Sequence, residues 1–236
     1  MYSELTRLIP VATAVITTCI KQQFSISIKS TIQKQKPQVM KSKILVLLLV
    51  VLSSLTAFAQ TEKVGKMTVT AFNNINAKGS AKVSAIVATK TALNNADKNM
   101  LLKIAAGGMR QLEISKAVLA KTTNAQVKIL AQSEVDEQTG LSAKLTEIAM
   151  AKGITLPATL DAAAQALVDQ ANNLSGAALN AFYIKESGIK GHEMLQKTML
   201  GVSAAAKDGN LKKLASATLP VIATHLTVSK QVKAMM

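Results

Sequence analysis

The sequence predicts an all-α protein: an antiparallel four-helix bundle with an additional short helix and a kinked C-terminal helix. Three observations predict it. Apolar residues recur at three- and four-residue intervals from Asn95 onward. Capping residues and Gly or Pro stops punctuate that pattern at helix-length intervals. No alternating strand pattern competes with it after residue 95. Long helices joined by short loops pack as antiparallel neighbours. Aromatic residues make up only 3% of the chain, so the core must be built from Leu, Val, Ile, Met and Ala.

The elements follow in order. Asn95 is placed to cap a helix carrying Asp97 in its first turn, where negative charge suits the macrodipole. Leu101, Ile104, Ala105, Gly108, Leu112, Ser115 and Leu119 share one face of it. Thr122-Thr123-Asn124 breaks the run, and Asn124 caps the next helix. Val127, Leu130, Ala131, Leu141, Leu145 and Ile148 form its stripe, and Gly153 ends it in a left-handed C-cap ahead of Pro157. A short alanine-rich helix covers Leu160 to Asn173. Ser175 opens a long helix to about Ala206, lined by Phe182, Ile189, His192, Gln196, Met199 and Ser203. Asp208-Gly209-Asn210 turns the chain into a last helix with Val221, Ile222, His225, Val228 and Val232 inside. Pro220 lacks the backbone donor and should kink or restart that helix. Gly107-Gly108 and Gly188 with Gly191 mark close helix approaches.

Upstream the reading changes. From Met40 the chain runs MKSKILVLLLVVLSSLTAFAQ: two lysines, an unbroken apolar run from Ile44 to Leu52, and Ala57-Phe58-Ala59 before Gln60. This is the layout of a secretory signal peptide over 40–59, with cleavage near Ala59-Gln60. The apolar run is too short to span a bilayer, which takes ~20 residues. Residues 1–39 read as an over-extended start, or else as a long n-region. Residues 60–94, rich in Thr, Asn, Lys and Gly, read as a polar tether broken at Gly79-Ser80, with Lys82 to Leu93 a short helix or strand. The bundle then occupies 95–236. The expected protein is therefore exported, periplasmic or secreted, with no membrane span in its mature part.

Charge and composition narrow the function. The chain carries 28 basic and 13 acidic residues, and residues 60–236 keep 21 and 12. Arg110 is the one arginine among those 21, and stacking aromatics are scarce. Specific nucleic-acid recognition, which relies on Arg and aromatic platforms, is not expected. A lysine-rich surface suits loose attraction to anionic envelope polymers. The one cysteine, Cys19, lies upstream of the cleavage site, so disulfides, thiol catalysis and thiolate metal sites are excluded for the mature chain. No phosphate loop, dinucleotide turn or nucleophile elbow occurs. The expectation is a non-enzymatic envelope protein acting by binding, in a stress-related role.

The chain carries a family resemblance. In the first half it rests on Ala105-Ala106-Gly107-Gly108, Glu113-Ile114, Ala117, Val127-Lys128, Leu130-Ala131, Leu145, Ala149 and Gly153-Ile154-Thr155-Leu156-Pro157. In the second it rests on Tyr183, His192, Asp208, Leu211-Lys212, Ala215, Leu219-Pro220 and His225, with 33 residues from His192 to His225. In order and spacing these resemble the DUF4142 family of exported bacterial proteins. The resemblance implies a ferritin-like helical bundle. Two departures stand out. Glu137-Gln138 replaces an Asp-His pair, so any metal ligand the family's histidine supplies is missing. The Tyr183–His192 interval is one residue longer than the family's, which a local bulge would absorb.

Glu113, Glu134, Glu137, His192 and His225 are the candidate site. Carboxylates and two imidazoles brought to one level of a bundle core suit zinc, iron or manganese. Against this, the di-iron bundles use a Glu-x-x-His motif on each of two helices, and here Ile189 and Ile222 stand three residues before the histidines. A buried Glu–His pair that pins helix register is the expected role. No cofactor is then needed, and bound iron or zinc is the alternative.

Overall fold

A computed structural model describes residues 62–236, and their fold is all-helical. The expected upstream extension and signal peptide lie outside the described residues. A short hairpin pairs β1 (Lys63–Val64) with β2 (Met67–Thr68), turning at Gly65, whose φ is 60°. The helices are α1 (Val69–Ser84), α2 (Asn95–Leu119), α3 (Ala125–Ala151), α4 (Ala162–Asn173), α5 (Gly176–Tyr183), α6 (His192–Ala205) and α7 (Gly209–Lys233). A π-helical segment, Ile184–Gly191, joins α5 to α6 without a break.

Local chemistry sets most boundaries. Asn124 Oδ1 accepts from Val127 N at 3.0 Å, Asp161 Oδ1 from Ala164 N at 2.7 Å, and Asp208 Oδ1 from Asn210 N and Leu211 N. Gly153, with φ 66°, ends α3: Ile154 N donates to Ala149 O at 2.9 Å and Gly153 N to Met150 O at 3.2 Å. This pair of bonds satisfies carbonyls that the helix end would otherwise orphan.

Five expectations need correction. Residues 60–94 are not a tether throughout: they supply the hairpin and α1, which buries Phe72, Asn76, Gly79 and Val83. Those residues repeat at helical spacing, but only two are large apolar groups, so the stripe is faint in sequence. Gly79 is no breaker either, because a Cβ there would collide with the Val221 side chain. The cap of α2 is Asn94, one residue earlier than expected, accepting from Asp97 N at 2.9 Å. Ser175 sits at an N-cap position without a side-chain cap bond. Finally, of the kink or restart expected at Pro220, the restart does not occur, since α7 is continuous through it. Pro220 and Ser216 are both exposed, so water can reach the Ser216 carbonyl left without its donor.

Packing places α2 against α3, α6 against α7, and α1 against α3 and α7. The apolar core falls into two clusters. One gathers Leu101, Ile104, Leu145, Ile148, Met199 and Leu214. The other gathers Phe72, Ile114, Val127, Leu130, Tyr183 and Val228. Each long helix passes from one cluster to the other, and between them lies a belt of buried polar groups. Gln111, Glu134, Gln138, Ser187, His192 and His225 occupy it. The chain is tied elsewhere by a buried Lys152 Nζ–Asp208 Oδ2 pair at 2.7 Å and by Asp97, which accepts from Lys207 N and Asp208 N.

Candidate metal centre

The belt centres on Glu134, which is 1% exposed. His192 Nε2 lies 3.1 Å and His225 Nδ1 3.2 Å from its Oε2. One donor atom from each of the three residues falls within 4.8 Å of the others. Glu134 comes from the middle of α3, His192 from the start of α6, and His225 from α7. Their approach needs small neighbours. A Cβ on Gly108 would meet Gln138 Oε1 at 2.7 Å, and one on Gly191 would meet Gln111 Oε1 at 2.5 Å. The expected close approaches at Gly108, Gly188 and Gly191 are therefore present, each against a polar side chain.

The π segment aims His192. In it the backbone holds one residue more per turn than an α-helix, which is the bulge that the long Tyr183–His192 interval requires. Of the residues expected on the inner face, Ile189 and Gln196 are half-buried and Ser203 is exposed, while His192 and Met199 are inside. Ser187 O accepts from His192 Nδ1 at 3.0 Å and from Gln111 Nε2 at 3.2 Å. A carbonyl only accepts, so His192 Nδ1 carries a proton and Nε2 is the nitrogen facing Glu134.

His225 is held on its other edge. Its Nε2 lies 3.1 Å from Glu137 Oε1 and 3.2 Å from Asn76 Oδ1, and its ring stacks on Phe72 with centroids 4.9 Å apart. Asn76 Nδ2 donates to Ser133 Oγ at 2.6 Å, completing this side. With acceptors at both nitrogens, His225 is an imidazolium in the metal-free protein. Burial alone would lower its pKa, but the Glu137 charge and hydrogen bonds to Glu134 and Glu137 push it up to about 10. Burial would likewise raise Glu134, yet the His192 charge and hydrogen bonds from both imidazoles hold it far below the usual carboxylate range. Tyr183, 2% exposed, bonds Ser115 Oγ at 3.2 Å; burial and the Glu134 charge push its phenol far above the usual range.

Of the five residues expected at the site, the structure joins Glu134, His192 and His225. Glu137 stands behind His225, on the nitrogen remote from Glu134. Glu113 does not take part: it lies on the outer face of α2, paired with Lys116 at 2.8 Å. Gln138 Nε2 donates to Glu134 Oε1 at 2.9 Å, so Gln138 orients the central carboxylate. Sequence reasoning missed Asn76, Gln111, Ser133 and Ser187. Gln111 was legible in principle, as a polar residue between Gly108 and Ser115 on an apolar face. Asn76 was not, because it lay in the segment read as a tether.

The donor set fits one transition-metal ion. Bonds of ~2.1 Å at tetrahedral angles separate ligands by about 3.4 Å, close to the two Glu134 distances. Each imidazole nitrogen turned away from Glu134 is hydrogen-bonded to a carbonyl or a carboxylate. Metal-ligating histidines are held in this way.

The class of protein is thus defined by an all-helical core interrupted by a buried carboxylate–two-histidine cluster. The chain belongs to the DUF4142 family: the model of this domain of unknown function matches residues 82–232. No curated protein and no solved structure matches the chain. Among the described residues no helix is long and apolar enough to cross a membrane.

Proposed function

We propose that this chain is an exported, non-enzymatic protein of the cell envelope that binds one transition-metal ion at Glu134, His192 and His225. The observation that carries the reading is the convergence of three donor atoms within 4.8 Å. The fastening of both outer imidazole nitrogens supports it. Zinc or iron suits two imidazoles and one carboxylate. The scaffold in this reading is an antiparallel four-helix bundle of ferritin-like type, made by α2, α3, the α5–α6 helix and α7. In its favour, α2 and α7 pass from the first core cluster to the second, while α3 and α5–α6 pass the other way.

Loading the purified protein with Zn²⁺ or Fe²⁺ and measuring the bound metal tests the proposal. One ion per chain is expected, and His192→Ala and His225→Ala should each abolish it. Absence of stoichiometric binding would leave the second reading, a polar pin that fixes helix register. That reading is favoured by Gln138, whose bond to Glu134 needs no metal. The export step is checked by N-terminal mass analysis of the secreted protein, expected to begin at Gln60.

A further inference from the structure

Glu134 and His225 are each 1% exposed and His192 4%, so an ion bound among them must come in along a path from solvent. A groove of about 590 Å³ opens to solvent between α1 and α3. Asn73, Ala77 and Ser80 line it from α1, and Gln132, Asp136 and Glu137 from α3. Asn76 and Ser133 line it too, and with Glu137 they make its inner end.

That inner end is the back of His225. Glu137 Oε1 lies 3.1 Å, Asn76 Oδ1 3.2 Å and Ser133 Oγ 3.5 Å from its Nε2. Three oxygens thus crowd one ring nitrogen, which carries at most one hydrogen. Oxygens gathered beside an imidazole are a donor set that a divalent cation accepts. The opposite nitrogen, Nδ1, faces Glu134 at 3.2 Å. A single imidazole therefore stands between the groove and the centre. The smaller cavity next to the groove shares Ser80, Asp136 and Glu137 with it but reaches neither Asn76 nor Ser133. Charge favours the groove as well. Glu62, Asp136 and Glu137 line it, with Lys128 as the counter-charge. Residues 60–236 as a whole carry 21 basic and 12 acidic side chains. The whole protein repels a cation, while the local field of the groove draws one in.

We propose that a divalent cation reaches the centre through the α1–α3 groove, drawn in by Asp136 and Glu137 and admitted past His225. The inference rests on the metal reading and adds to it the route of loading. A route and a ligand differ in kinetics. Blocking a route slows uptake and release alike and leaves the equilibrium where it was, whereas losing a ligand weakens the equilibrium itself.

Co²⁺, a visible-absorbing stand-in for Zn²⁺, is mixed with the metal-free full chain in a stopped flow, and its release is followed with a chelator. Uptake should slow several-fold between about 20 and about 300 mM salt, because salt screens an attracting groove. Entry across the net basic surface would instead quicken with salt. Asp136→Lys, at an exposed position, should slow uptake about tenfold. Ala77→Trp, also at an exposed position, should fill the groove and slow uptake and release by the same factor. Both variants should keep the equilibrium affinity within about twofold, while Glu113→Lys, the same charge change outside the groove, should alter the rate by less than about twofold. Uptake that quickens with salt, or that keeps its rate in either folded groove variant, would overturn the route and leave the metal reading standing. A loss of affinity in place of a matched loss of both rates would also overturn the route. A parent chain that takes up no Co²⁺ would overturn both.

Discussion

Glu134→Gln in the metal-free protein should remove about 3 kcal/mol of folding stability at pH 7. The amide keeps the shape of the side chain but removes the charge that both imidazoles face at 3.1 and 3.2 Å. His225 is pushed up to about 10 from 6.5. At pH 7, about three units below the folded value, that difference is worth roughly 4 kcal/mol at 1.36 kcal/mol per pKa unit. Glu137 supplies the largest raising contribution, so part of the effect survives the substitution. Loss of the His192 contact adds to the cost, and breaking a buried ion pair typically costs ~3–5 kcal/mol. Urea unfolding measures the change directly, and the melting temperature should drop by about 6–12 °C. The pH profile gives a second check. With its pKa raised, His225 stabilises the fold fully below pH 6.5 and loses that contribution as pH rises through about 10. With its pKa depressed, Glu134 contributes fully above about pH 4.5 and loses this as pH falls. The parent should therefore weaken between pH 7 and 10, and Glu134→Gln should flatten that slope. A loss under about 1 kcal/mol, or parallel profiles, would refute the account of the belt as a coupled ionic cluster.

Three further outcomes are expected. Gly191→Ala should destabilise by about 1–3 kcal/mol, because its Cβ would meet the Gln111 amide at 2.5 Å, whereas Gly201→Ala, in open space, should stabilise slightly; thermal unfolding compares them. Deleting Lys185 should convert the π segment to α-helix and turn His192 by about 100° relative to Tyr183; circular dichroism should keep its helical signal while metal uptake is lost. Glu113→Ala should leave metal uptake intact and change stability by less than about 0.5 kcal/mol, since Glu113 serves only an exposed pair with Lys116.

What was legible in the sequence has a common character. Asn124 caps a helix through a bond that reaches three residues along the chain, Asp208 turns the chain into the last helix, and Gly153 ends one through its own φ. The stripe from Val127 to Ile148 and that from Val221 to Val232 are buried as their spacing requires. His192 and His225 could be placed inside because each sits in such a stripe. The extra residue before His192 was readable as a bulge, though not its form.

What escaped was decided by how separate helices are turned toward one another. Glu113 and Glu134 look alike as carboxylates on amphipathic helices. Only the rotational phase of α2 and α3 sends one to Lys116 at the surface and the other to two imidazoles. Asn76 looked like part of a polar tether until α1 laid it against His225. The sequence by itself determined the helical class, most of the helix ends and the two inward histidines, because those depend on interactions within about one turn of chain. The tertiary structure alone decided which carboxylate meets them and that Asn76 stands behind one of them. Those contacts join residues dozens to more than a hundred positions apart, where one residue of helical phase, about 100°, decides whether a side chain enters the core or faces water.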